Sequence, residues 1–98
     1  MKVLFADSSS LCRYSTILVA QQCVSNLSVL EAEALEEANL ILTSEIVSTV
    51  FININILGNH AVDYIQHLRN IQHKTRIILV INTLSEYNTH KHLAIHVD

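Results

Sequence analysis

The sequence predicts an α/β fold organised around a parallel sheet, and three observations carry that prediction. Short β-branched runs alternate with longer stretches of helical spacing, the pattern of successive βαβ units. The clearest of these runs, residues 75–82 (TRIILVIN), reads as a strand buried on both faces, as strands of parallel sheets are. Half of the 98 residues are hydrophobic and only 15% are charged, a composition that favours a packed core over disorder.

Residues 2–6 (KVLFA) form the first strand. Asp7 and the run Ser8, Ser9, Ser10 supply N-cap chemistry after it, and Leu11, Tyr14 and Leu18 then fall at i, i+3 and i+7 on one helix face, so a first helix runs to about Gln22. Residues 26–32 (NLSVLEA) alternate as a second strand. Ala34, Leu35, Ala38, Ile41 and Leu42 keep a helical period, and Glu36 and Glu37 suit the positive end of that second helix. Residues 48–53 (STVFIN) make a third strand, followed by a loop holding the single glycine, Gly58. Val62, Ile65, Leu68 and Ile71 mark a third helix, residues 75–82 the fourth strand, and residues 86–95 a weaker fourth helix. The order is βαβαβαβα, without repeats or linkers, and 98 residues make one domain, 1–98.

Several function classes recede on composition alone. The net charge is −3 and no Lys/Arg cluster exists, so the electrostatic footprint of a nucleic-acid binder is missing. The longest apolar run, residues 77–81, is too short for a membrane span or signal peptide, and a cytoplasmic chain is expected. Cys12 and Cys23 lie at the two ends of the first helix, roughly 16 Å apart at 1.5 Å per residue, beyond disulfide reach. Unpaired thiols suit a reducing compartment, and both read as small packing residues.

In open parallel sheets chemistry gathers at the carboxyl ends of the strands. Those positions hold Asp7 and Ser8, Asn53, and residues 81–83. The segment VLFADSSSLCR (residues 3–13) resembles the opening of response-regulator receiver domains of two-component systems, where a strand ends in two acids and a helix follows. FININILGNHAV (residues 51–62) is similar to the receiver segment around the phosphorylated aspartate. Asp7 and Asn53 stand 46 residues apart, a separation that follows the family pattern without a gap. Ile54, Asn55, Ile56 and Gly58 fit the family's loop, while Leu57 replaces its proline (the whole chain has none) and Ala61 its glycine.

The resemblance implies a three-layer α/β/α sandwich, flavodoxin-like (CheY-like), with strand order 2-1-3-4. It also implies an eroded phosphorylation site. Asp7 keeps the first acid and Ser8 replaces the second. Asn53 stands in for the phosphoacceptor, and Asn55 for the carbonyl donor to Mg²⁺. Ile81 occupies the place of the switch hydroxyl. A carboxamide has no anionic oxygen to attack phosphorus, and one carboxylate in place of three leaves a hard cation little to hold, so no cofactor and weak or absent Mg²⁺ binding are expected. The sequence stops at Asp98, where receivers continue with a fifth strand whose end carries a lysine, so that strand, its lysine and the next helix are expected to be missing.

Two readings stand for Asp7, a remnant metal ligand or a cap at the strand-to-helix turn. Ser8, Ser9 and Ser10 are either a serine-rich cap or an anion site built from backbone N–H groups. Among six histidines, His92 and His96 share a helix face at i, i+4, but no further ligand accompanies them, and they read as solvated surface residues. No glycine-rich elbow, phosphate loop or C-x-x-C surrounds Cys12 or Ser8, so catalysis is not expected. Tyr14, Tyr64 and Tyr87 read as packing residues on separate helices. The function expected is a degenerate receiver derived from a transcriptional response regulator, acting through protein contacts without phosphorylation. Homodimerisation through the strand 4 and helix 4 region is part of that expectation. The alternative is a small-molecule or anion-binding module using Asp7, Ser8, Asn53 and Asn55.

Overall fold

The computed structural model describes residues 1–58, 61–91 and 97–98. Strands β1 (Lys2–Ala6), β2 (Ser28–Ala32), β3 (Thr49–Asn53) and β4 (Arg76–Val80) pair in parallel in the order β2-β1-β3-β4, interleaved with helices α1 (Ser10–Cys23), α2 (Leu35–Ser44), α3 (Ala61–Ile71) and α4 (Leu84–His90). The register sets Phe5 beside Phe51, Ala6 beside Ile52 and Asn53 beside Val80. This is the expected flavodoxin-like α/β fold with its 2-1-3-4 order.

Alternation along each strand divides the interior into two unequal halves. Leu4, Val50, Ile52 and Ile77 point one way and pack with Ala38 and Leu42 of α2 and Ile65 and Leu68 of α3. Val3 and Phe5 point the other way and meet Ile17 of α1 together with Ala20, Leu27, Val29 and Phe51. On that second side Phe5 and Phe51 stack with ring centroids 5.1 Å apart and planes within 4°. The larger core is covered by the inner faces of α2 and α3, whereas the smaller one is covered among the described residues by a single helix.

Three local expectations are corrected. Leu11, Tyr14 and Leu18 do share a face of α1, but it is the outward one: they are 74%, 60% and 41% exposed, and Arg13 and Ile17 are the residues α1 buries. β4 is not buried on both faces, because Ile78 and Val80, on the side away from Ile77, stay partly open. Of the tyrosines only Tyr64 is buried, with Tyr14 and Tyr87 at least half exposed. Element ends shift by a residue or two, and α4 begins earlier than expected, at Leu84, since Thr83 and Glu86 form a capping box. His60, His92 and His96, and the last residues assigned to the fourth helix, lie outside the described residues.

No described helix is long and apolar enough to cross a membrane. Cys12 and Cys23 are both free thiols.

Tyr64 shows how α3 is held against α2. Its hydroxyl donates to Asn39 Oδ1 at 2.9 Å, and burial pushes its ionisation up to about 12. An acid whose folded pKa is raised stabilises the fold fully below its unfolded value and loses that contribution as pH climbs through the folded one. Stability is therefore expected to fall between about pH 10 and about 12 by on the order of 2 kcal/mol. Urea titrations across that range should show the fall shrinking in Tyr64→Phe, and an unchanged alkaline slope in the variant would contradict it.

Candidate functional site

The carboxyl ends of β1, β3 and β4 bring Asp7, Asn53, Asn55 and Asn82 together. Asp7 continues the β1 ladder by donating its N–H to Ala32 O at 3.0 Å, and its side chain then turns inward, leaving the residue 4% exposed. Ser9 is the N-cap of α1, its hydroxyl accepting from Cys12 N at 3.2 Å. β3 ends in Asn53, which is fully buried. Its Oδ1 accepts from Asn55 N at 3.0 Å and so caps the 3₁₀ turn Ile54–Ile56. Leu57, where the resembled loop has proline, buries its side chain in the main core, and Gly58 turns the chain with a φ of +62°, a conformation that favours glycine.

The Asp7 carboxylate already accepts three hydrogen bonds. Its Oδ1 accepts from Ser9 N at 2.9 Å and from Asn55 Nδ2 at 3.0 Å, and its Oδ2 accepts from Asn53 Nδ2 at 2.9 Å. The orientation of Asn53 follows from its neighbours: an oxygen is needed beside the Asn55 N–H and a donor beside an acceptor-only carboxylate, so only one amide orientation satisfies both. Two carboxamide N–H groups thus face the Asp7 carboxylate, where a cation bound to it would meet donors rather than further oxygens. Asn53 Nδ2 reaches on to Asn82 Oδ1 at 3.4 Å. Among the described residues every buried side-chain nitrogen and oxygen has a partner.

Mg²⁺ does not fit this donor set. It wants several hard, preferably anionic oxygens in near-octahedral array, and the cluster offers one carboxylate, already bonded three times, ringed by N–H groups. Among the described residues no group of three or more His, Cys, Asp or Glu side chains is placed to hold a metal ion. The void touching Asp7 measures about 10 Å³, far below the few hundred Å³ of an ordinary ligand pocket. Ser8 is exposed, its N–H directed at Asn55 Oδ1 at 3.4 Å, and with the Ser9 and Cys12 N–H groups bonded internally the serine run has few donors left for an anion.

Ile81 turns away from the cluster and packs on the main core; Asn82, one residue on, is the side chain from the β4 end that meets Asn53. Arg13, on α1, also belongs to the surroundings of Asp7, although the sequence marks it with no motif. It is 7% exposed, its Nη1 donates to Asp7 O at 2.7 Å, and its Nε and Nη2 reach Glu31 at 2.8 Å and Glu33 at 3.3 Å. The Glu31 hydrogen bond, outweighing the opposing cost of burial, holds the guanidinium above its usual range. Arg13 thereby ties α1, the β1 turn and the end of β2 into one unit. The signal for it in the sequence is a lone charge in a helix otherwise free of them.

Two solved structures share this architecture. A response regulator protein from Burkholderia pseudomallei, whose crystal structure contains a phosphorylated aspartic acid, a calcium ion and citrate, aligns with a TM-score of 0.66 and 15% identity over 86% of this chain and 49% of its own. An adenylate cyclase from Rhodopirellula baltica aligns with a TM-score of 0.71 and 18% identity over 98% of this chain and 70% of its own. The chain thus spans about half the length of the response regulator. No protein-family model matches the sequence, and no curated protein matches it. At such identities the likeness is one of backbone architecture: strand order, parallel pairing and helix placement give this chain the receiver-type, flavodoxin-like α/β fold.

Proposed function

We propose that the chain is a receiver-like module of two-component signal transduction that acts through protein contacts without being phosphorylated. The observation that carries this reading is the 2.9 Å hydrogen bond from Asn53 Nδ2 to Asp7 Oδ2. At the position where the resembled family holds its phosphoacceptor, this chain has a neutral amide turned as a donor toward the remaining acid. That arrangement closes the site on itself and removes the need for a metal. On this reading Asp7, Asn53 and Asn55 form a structural keystone, no cofactor is required, the chain is not an enzyme, and the partner is protein rather than nucleic acid or membrane. A cytoplasmic setting and descent from a transcriptional regulator belong to the same proposal, as does self-association in the region of β4. The saturated hydrogen bonding and the small void at Asp7 weigh against the alternative of a ligand-binding crevice.

Incubation with acetyl phosphate and Mg²⁺, or with beryllofluoride and Mg²⁺, tests the proposal. Intact-mass measurement should find no acid-stable, hydroxylamine-labile phosphoryl adduct, and amide resonances of Asp7, Ser8 and Asn53 should stay in place. Saturable shifts clustered at those three residues would overturn it.

A further inference from the structure

The α1 side of the sheet is half built among the described residues. Four strands at about 4.8 Å spacing are some 19 Å across, while a helix with its side chains is about 10 Å wide, so the face has room for two helices. Only α1 lies there, over β2 and β1. Beside it runs a groove of about 610 Å³, floored by Thr49, Phe51, Arg76 and Ile78 and walled by Thr16, Val19, Ala20 and Cys23 of α1.

The same chain carries a surface that matches this groove. The face of α1 turned away from its own sheet presents Leu11, Leu18 and Val19, with Tyr14 at its margin, all more than 40% exposed. The one charged residue of α1, Arg13, is buried, so nothing charged projects from the helix into water. A helix face of an isolated small domain ordinarily carries charge, whereas the centre of a protein interface is depleted of it and rich in tyrosine and aliphatic side chains. α1 has 14 residues, about 21 Å in length, enough to lie along the full length of a five-residue strand.

We infer that the groove is filled by α1 of a second copy of this chain, in a two-fold dimer that places both α1 helices side by side between two sheets. The arrangement is isologous: each copy supplies one helix and one groove, so both unpartnered surfaces disappear together. Met1, Leu11, Tyr14, Leu18, Val19 and Val24 at their observed exposures present on the order of 700 Å², close to the roughly 800 Å² per partner of a standard-size interface. A lipid surface fits the groove poorly, since it would meet a concavity, and Arg76 on the floor is the one cationic side chain of the lining. The inference names the partner of the protein-contact role proposed above and rests on that reading, while shifting the contact from α4 to α1 and the α1-facing side of β4.

Sedimentation velocity on the full chain, from sub-micromolar to hundreds of micromolar, is the test. The parent should form dimers. Leu18→Glu, on the exposed helix face, and Ile78→Lys, on the groove floor, should each weaken dimerisation by about 30-fold or more, the size of a hot-spot loss, with unchanged far-UV circular dichroism for Leu18→Glu. Mixing the two variants in equal amounts should restore dimers, because one interface half then pairs glutamate with lysine and the other is unmodified. A parent that stays monomeric at hundreds of micromolar both with and without beryllofluoride and Mg²⁺, a dimer indifferent to Leu18→Glu, or a mixture that fails to recover would overturn the inference. Repeating the series with beryllofluoride and Mg²⁺ separates the two proposals. Dimers that form only with the phosphoryl mimic, yet dissolve in Leu18→Glu, would sink the phosphorylation-independent reading and support the surface.

Discussion

Asn53→Asp is expected to lower the melting temperature by roughly 10–20 °C in EDTA near pH 7, and Mg²⁺ should restore much of the loss in the variant while leaving the parent unmoved. The substitution replaces the 2.9 Å contact between Asn53 Nδ2 and Asp7 Oδ2 with two carboxylate oxygens at the same separation, in a site where one residue is fully buried and the other nearly so. Unit charges that close repel by several kcal/mol even at an effective dielectric of about 20. The pair avoids most of that by sharing a proton, so its first ionisation falls in the ordinary carboxylate range and its second is raised. The folded variant then binds more protons than the unfolded chain as pH rises past the carboxylate range, and stability declines with pH through the raised value. A net loss of about 2–3 kcal/mol at neutral pH corresponds to the stated shift for a domain of this size. A divalent cation would neutralise the two acids from the side the amides now occupy. Calorimetry in EDTA and in Mg²⁺ at pH 5 and pH 7.5 checks all of this, and a variant as stable as the parent in EDTA would show that the amide does not hold the cluster together.

Gln72→Leu is expected to be as damaging without touching that site. Gln72 follows α3 and is buried beneath the amino ends of the strands, where its amide uses every bond it can make. Nε2 donates to Leu42 O and Glu45 O at 2.8 Å each, and Oε1 accepts from Val47 N at 3.2 Å and Thr75 Oγ1 at 2.7 Å. One side chain thus fastens the end of α2, the loop into β3 and the turn into β4. Leucine fills a similar volume but leaves Val47 N and two carbonyls unsatisfied, at about 1–3 kcal/mol each before water reaches the more open of them. A loss of about 3 kcal/mol, or a fall of roughly 12–24 °C in melting temperature, is the expected result. Urea unfolding of Gln72→Leu beside Gln72→Glu checks it. The glutamate keeps the acceptor for Val47 N but sets a carboxylate oxygen against Leu42 O and Glu45 O, and near pH 7 should be at least as destabilised as the leucine variant; two variants within experimental error of the parent would refute the account.

The sheet and its order were legible because the signals were redundant. Residues 2–6 are a mostly apolar run and 48–53 and 75–82 are rich in β-branched residues, all bounded by helical spacing, and right-handed crossovers leave few ways to connect them. The spacing that brings Asp7 and Asn53 together was legible for the same reason. The role of α1's faces was not. Its apolar period points outward, through Leu11, Tyr14 and Leu18, and a charge sits on the buried side, so amphipathicity taken as a guide to the core selects the wrong side. Arg13 is tolerated inward only because Glu31 and Glu33 arrive from β2, 18 and 20 residues later in the chain, a coincidence that exists only once the strands are in register. Asn82 lies within the span 81–83 that the strand ends single out, but the resemblance assigns a role to Ile81 alone, whereas the structure brings the next side chain to Asn53. Gln72 gives no warning at all, since a glutamine after a helix is ordinary until three loops converge on it.

The outer side of β4 begins a rung that is not continued among the described residues. Asp98 N donates to Ile77 O at 2.7 Å and its carboxylate accepts from Ile77 N at 2.8 Å, while Arg69 Nη2 holds the same oxygen at 2.6 Å. The hydrogen bond from Ile77 N, and after it Arg69, hold the Asp98 carboxyl below the usual carboxylate range. IILVI, the stretch from Ile77 onward, has the make-up of a steric-zipper segment, and a bare strand of that kind templates fibrils. Asp98 and Arg76 flank it as gatekeepers: a newcomer in register would have to displace a carboxylate already bonded at the first step. Acid that protonates Asp98 weakens that guard, at a pair of atoms far from the polar cluster, and fibril formation that quickens at low pH is the expected consequence.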